Sequence, residues 1–145
     1  MATLAQWFAK SGGALVAELW VPRQMGVILM KPTFVPDVDV QTSYADVAAQ
    51  EVAAGGGYTV GGLPITGKSV AYNAGANQWD LFGDDVLWGP GATFSTHYGI
   101  VYETGTAEKR LWELLDFGQT YDVVNGFFTI DFSSAIMAVA AGPPV

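Results

Sequence analysis

Turn-forming residues interrupt this chain so often that few long regular elements can form without crossing one, and that spacing constrains the fold. Between residues 55 and 88 glycine occurs at Gly55, Gly56, Gly57, Gly61, Gly62, Gly67, Gly75 and Gly83, with Asn73 and Asn77 among them. Glycine reaches positive φ without a steric penalty, and asparagine tolerates it. The segments left between these breaks are short and rich in β-branched and aromatic residues. Many short strands with regular turn signals predict a mainly β fold, an antiparallel β-sandwich or barrel-like domain.

The pattern can be followed along the sequence. Residues 3–9 predict a short helix: Thr3 can cap it, Leu4 and Phe8 lie four apart with Trp7 beside them, and Gly12–Gly13 end it. "ALVAELW" is open between helix and strand until Pro22 stops it. "GVILMK" reads as a buried strand and residues 32–43 as a loop. "SYADVAAQEVAA" predicts a second short helix, with Ser43 and Asp46 at capping-box spacing.

From there strands and turns dominate. "KSVAYN" and "QWDLF" predict a hairpin turning on Asn73, Gly75 and Asn77. "DVLW" is a further strand, halted by "GPG". In "FSTHYGIVYE" Phe94, Thr96, Tyr98, Ile100 and Tyr102 share one face. "RLWELLDF" fits helix or strand, and its aromatic content and following glycine favour strand. In "GFFTIDF" Phe128, Ile130 and Phe132 face one way; "AIMAVA" is the last strand. At 145 residues the chain is expected to be one domain, with residues 1–25 as an assembly segment within it.

Composition narrows the function. Charged residues are 14% of the chain, against about 25% in an ordinary domain, while apolar types reach 50%. So few charges imply that part of the surface is covered by another protein, the alternative being a surface filled by Ala, Gly and Thr. The net charge of −8 and six scattered cations argue against nucleic acid, because phosphate binding needs clustered Lys and Arg; anionic membranes are disfavoured for the same reason. No apolar run approaches the roughly 20 residues of a membrane span, and the N-terminus makes a poor secretion signal, so cytoplasmic synthesis is expected.

Candidate chemistry is sparse. There is no cysteine and one histidine, His97, too few for a zinc site. Asp84 and Asp85 are adjacent, so on an extended chain their side chains diverge instead of facing across a cleft as glycosidase carboxylates do. Asp37, Asp39 and Asp46 lack the spacing of a helix-loop-helix calcium site. "GGGYTVGG" lacks the GK[ST] ending of a phosphate loop. Trp79, Trp88, Tyr98, Tyr102 and Trp112 fit core packing, a protein interface or a glycan groove. No catalytic, cofactor-binding or metal residues are expected, and no cofactor.

The order of motifs adds a resemblance. "EVAAGGGYTVGGLPITGKSVAYNAGANQWDLFGDDVLWGPGATFSTHYGIVYETG", then "LLDFG" and "NGFFTIDF", resembles a family of small virion proteins of tailed bacteriophages, over roughly residues 26 to 138. Its pattern is a Glu-Val, a GYT-x-GG-x-x-L turn, a hairpin, an acidic pair before Val-x-Trp, a Tyr-x-x-Val-Tyr strand, a Leu-x-Asp-Phe-Gly and a final Asn-Gly strand. The resemblance implies a non-enzymatic virion protein, made in the host cytoplasm. Its expected role is capsid decoration (cement) on the capsid exterior, with a tail or tail-fibre component contacting the host surface as the alternative. The implied partners are the major capsid protein and further copies of the chain, as a trimer. Trp7, Phe8 and Trp20, and the loop residues Phe34, Val35, Pro36 and Val38, are the expected interface residues.

Overall fold

The computed structural model describes residues 11–140, so the helix expected at 3–9 lies outside the described residues. The fold is mainly β, with two antiparallel sheets and short helices. The described residues group into two compact units interleaved in sequence: 11–23, 66–84 and 132–140 in one, Gln24–Ile65 and Asp85–Asp131 in the other. No Pro- or Ser-rich linker marks the junctions, which is why composition did not announce them.

In the first unit, α1 (Ser11–Trp20) accompanies a three-stranded sheet. "ALVAELW" is therefore helical, with Gly13, Ala17 and Trp20 buried at helical spacing. Gly13 lies inside this helix and does not end one. A Cβ there would stand 2.8 Å from the Ala140 carbonyl oxygen and 2.8 Å from the Trp79 ring, so the helix backbone needs glycine to approach the sheet. The Lys68 ammonium donates to the carbonyls of Trp20 (3.0 Å) and Arg23, placing a cation at the negative end of the helix. The expected hairpin is present as β3 (Ser69–Asn73) and β4 (Gln78–Phe82); in its turn the Asn73 side chain accepts from the Ala76 N–H and Asn77 has φ 51°.

The second unit is built around β1 (Met25–Met30), every residue of which is buried. β2 (Leu63–Pro64) pairs with it on one side, and the long strand β5 (Val86–Glu103) on the other. β6 (Leu111–Ile130) pairs with β5 at the edge of this sheet, and β7 (Met137–Ala140) pairs with β4 in the three-stranded sheet of the first unit. Sheet orders are β2-β1-β5-β6 and β3-β4-β7.

Two expectations are corrected by β5 and β6. "GPG" does not halt a strand: β5 continues through it, with the register moving from Trp88↔Phe128 to Ala92↔Gly126 and with Gly89 and Gly91 at positive φ. The glycines let the strand absorb a bulge and resume pairing. "RLWELLDF" and "GFFTIDF" likewise belong to one strand, interrupted by bulges at Gly118 (φ 79°) and Asn125 (φ 46°). The alternation survives: Phe128, Ile130 and Phe132 are buried, and Phe127 is exposed.

α2 (Tyr44–Val47) starts at the expected capping box. The Asp46 carboxylate accepts from the backbone N–H groups of Thr42 (2.9 Å) and Ser43 (3.1 Å), and these bonds, Thr42's first, hold it below the usual aspartate range. A lowered carboxylate pKa adds stability above the ordinary aspartate value, lost as pH falls through the depressed one. Asp46→Ala is therefore expected to lower Tm by about 2–4 °C at pH 7, with the gap to wild type closing in acid, as thermal melts across pH will show.

Candidate interaction surface

Glu51 sits at the end of the short 3₁₀ turn (Ala48–Gln50), bridged to Met30 of β1, and is only 4% exposed. Its carboxylate accepts from the hydroxyls of Tyr44 (2.5 Å) and Tyr58 (2.6 Å) and from the Gly61 N–H (2.8 Å). Tyr58 Oη also accepts from the Leu29 N–H (3.1 Å), and Tyr102 donates to the Gly61 carbonyl (2.6 Å). Burial, then the Glu51 carboxylate, pushes Tyr44 and Tyr58 well above the ordinary tyrosine range. This buried, satisfied network fastens the glycine-rich loop to β1. A glutamate followed at i+7 by tyrosine and at i+10 by glycine is the signal it leaves in the sequence.

His97 lies opposite the Gly118 bulge. Its Nε2 is 3.3 Å from Asp116 Oδ1 and its Nδ1 is 3.4 Å from Thr120 Oγ1, while its ring stacks on Tyr98 at 4.4 Å. The order is acid, imidazole, hydroxyl, held at distances slightly longer than the roughly 2.6–3.2 Å of a tight hydrogen-bonded pair. Asp116 also accepts from the Gly118 N–H (2.8 Å), so these groups clasp the bulge. Among the described residues no group of His, Asp and Glu is placed to hold a metal ion, and no helix is long and apolar enough to cross a membrane.

The aromatic candidates are divided between the two units. Trp88 and Tyr102 are buried, and Trp79 belongs to the α1 unit, where it packs on Tyr72. Trp112 is the extra residue of a bulge between Leu111 and Glu113. Its indole donates to buried Glu103 (2.9 Å).

Of the expected interface residues, Trp7 and Phe8 lie outside the described residues. Trp20 is fully buried, with its indole N–H donating to the Phe82 carbonyl (2.9 Å). Phe34 is buried in the core with Ile28, Met30, Val47, Ile100 and Tyr102. Both rings therefore serve mainly the chain's own packing instead of standing out in solvent, because a large ring gains more from the core than from water. In the rest of the loop, Val35 and Val38 are 77% and 73% exposed, Pro36 is partly exposed, and Val40, not singled out from sequence, is 71% exposed.

The loop holds its own shape. The Asp37 N–H donates to Gln41 Oε1 (2.8 Å), the Asp39 N–H to Asp37 Oδ1 (3.2 Å) and the Gln41 backbone N–H to the Asp37 carbonyl (2.9 Å). Phe34 anchors it from within, stacked edge-on against Tyr98 at 5.9 Å. Behind the loop runs a groove of about 100 Å³, walled by Phe34, Pro36, Val38 and Gln41 on one side and Leu111, Trp112, Glu113 and Leu114 of β6 on the other, above Ile100. Glu113 is half-buried there, and desolvation pushes its carboxyl up from the usual glutamate value. Compared with known protein families, curated proteins and solved structures, the chain matches none of them.

Proposed function

We propose that this chain is a non-enzymatic structural protein of a tailed-bacteriophage particle, a capsid decoration protein that binds the outside of the major capsid shell and stabilises it. The observation that carries the docking role is the 35–40 loop, which presents Val35, Val38 and Val40 to solvent from a backbone already fixed by its own hydrogen bonds. Exposed valines gain about 25 cal/mol per Å² when covered, and a pre-ordered loop forfeits little entropy on docking. The virion role rests on the linear order of motifs from Glu51 to Phe132. In this role the chain acts as a homo-oligomer, a trimer, with the major capsid protein as its partner.

The triple variant Val35→Ser, Val38→Ser, Val40→Ser tests the docking surface. It is expected to melt within a few degrees of wild type, since each residue is exposed, and to bind capsid shells at least about tenfold more weakly in a co-sedimentation assay. Unchanged sedimentation with the shells would overturn the docking role of the loop. Binding to host cell wall in place of shells would favour the tail reading.

A further inference from the structure

We propose that the groove between the 34–41 loop and the start of β6 is the socket for one basic side chain, arginine before lysine, carried on an extended apolar segment of a partner polypeptide. The inference rests on the reading of this chain as an assembly subunit, and adds to it the site and the chemistry of the partner.

Size comes first. A groove of about 100 Å³ is well below the roughly 300–1,000 Å³ of sites that enclose small molecules, and suits a single anchoring side chain. Its walls, Phe34, Pro36, Val38, Leu111 and Leu114, are apolar, which suits an aliphatic stem. Its one charge is the Glu113 carboxylate, half-buried and with no hydrogen bond or ion pair to any described residue.

The nearest cations in sequence are committed elsewhere. Arg110 pairs with Glu108 at 2.9 Å, and the Lys109 ammonium lies over the Tyr44 ring, 5.4 Å from its centre. A carboxylate taken partly out of water without a counter-charge is costly, and an incoming cation relieves that cost. Guanidinium is less strongly hydrated than ammonium and binds carboxylate in a bidentate fork, hence the preference for arginine. Val35 and Val38, beside the socket, give the flanking residues of the segment an apolar surface. A second copy of this chain fits the socket less well, because it carries only six Lys and Arg, of which Arg110 and Lys109 are already engaged.

The test uses the full chain and a displayed library of linear nine-residue peptides. Selection is expected to enrich Arg or Lys flanked by apolar residues. Binding of an enriched peptide, read by fluorescence anisotropy, should weaken about tenfold in Glu113→Gln and fade with salt. Glu113→Lys should reverse the preference toward Asp or Glu. Glu113→Gln should melt no lower than wild type, because it removes a desolvated charge. Val38→Ser, at an exposed wall position, should weaken the same peptide about threefold and supplies an independent arm. A consensus with no basic residue, no enriched peptide, equal affinity in Glu113→Gln, or a salt-sensitive homodimer that Glu113→Gln dissolves would each overturn the proposal. Because the assay uses the isolated chain, its failure would leave the capsid role standing, and absence from capsids would leave the socket standing.

Discussion

Gly62→Ala is expected to lower Tm by at least about 10 °C, or to prevent recovery of folded protein. Gly62 has φ +73°, and a Cβ built on it would lie 1.8 Å from the Val27 carbonyl oxygen and 2.7 Å from the carbonyl carbon. Both obstacles are backbone, in the fully buried central strand β1. There Val27 is held between Leu63 and Val101, so it cannot retreat without breaking pairing on both sides. The left-handed dihedral costs about 1–2 kcal/mol, and overpacking against backbone adds about 1–3 kcal/mol or more. Against a total stability of about 5–15 kcal/mol, that is a large share. Gly55→Ala is the matched control: its φ is +112°, but an added Cβ meets nothing within 4 Å, so only the dihedral cost remains. Circular-dichroism melts of the two variants should differ widely; similar melting points would contradict the close approach.

Glu51→Ala is expected to cost about 3–5 kcal/mol, a loss of roughly 6–15 °C in Tm. The substitution removes the acceptor of the Tyr44 and Tyr58 hydroxyls and of the Gly61 N–H together, and a buried donor left without a partner costs about 1–3 kcal/mol. Glu51→Gln keeps one acceptor oxygen and the volume, and should fall between wild type and alanine. Tyr58→Phe should cost less than Glu51→Ala: it leaves the Leu29 N–H without its acceptor, but it keeps the carboxylate and its other two donors. Because Tyr44 and Tyr58 share the acceptor, their losses should not add in the double variant Tyr44→Phe, Tyr58→Phe. Chemical denaturation of the set measures this; additive losses would mean that the carboxylate does not couple the two rings.

The sequence was most legible where side chains alternate or where a turn needs a particular residue. β1, the Asn73–Asn77 hairpin and the Phe128, Ile130, Phe132 face follow directly from such patterns. The continuity of β5 and β6 did not, because Gly89, Gly91, Gly118 and Asn125 mark bulges with the same residues that mark turns. α1 was ambiguous since "ALVAELW" is apolar enough for either element, and a glycine that serves close packing looks like one that ends a helix. Within the 34–38 loop, composition identified an apolar segment but not its division into Phe34 inward and Val35 and Val38 outward, which tertiary packing decides. Glu113 was hidden for a related reason. The bulge at Trp112 spoils the alternation that would have placed it on a face, leaving Leu111 to Leu114 all half-buried.

The proposed function requires that the exposed valines of the 35–40 loop be covered by the capsid shell. Counting this chain in purified virions, by quantitative mass spectrometry with cryo-EM to locate it, tests that most directly. The capsid-decoration account predicts copies comparable in number to the major capsid protein, on the outside of the shell, with the 35–40 loop against it. A handful of copies at the tail, or none in the particle, would contradict it.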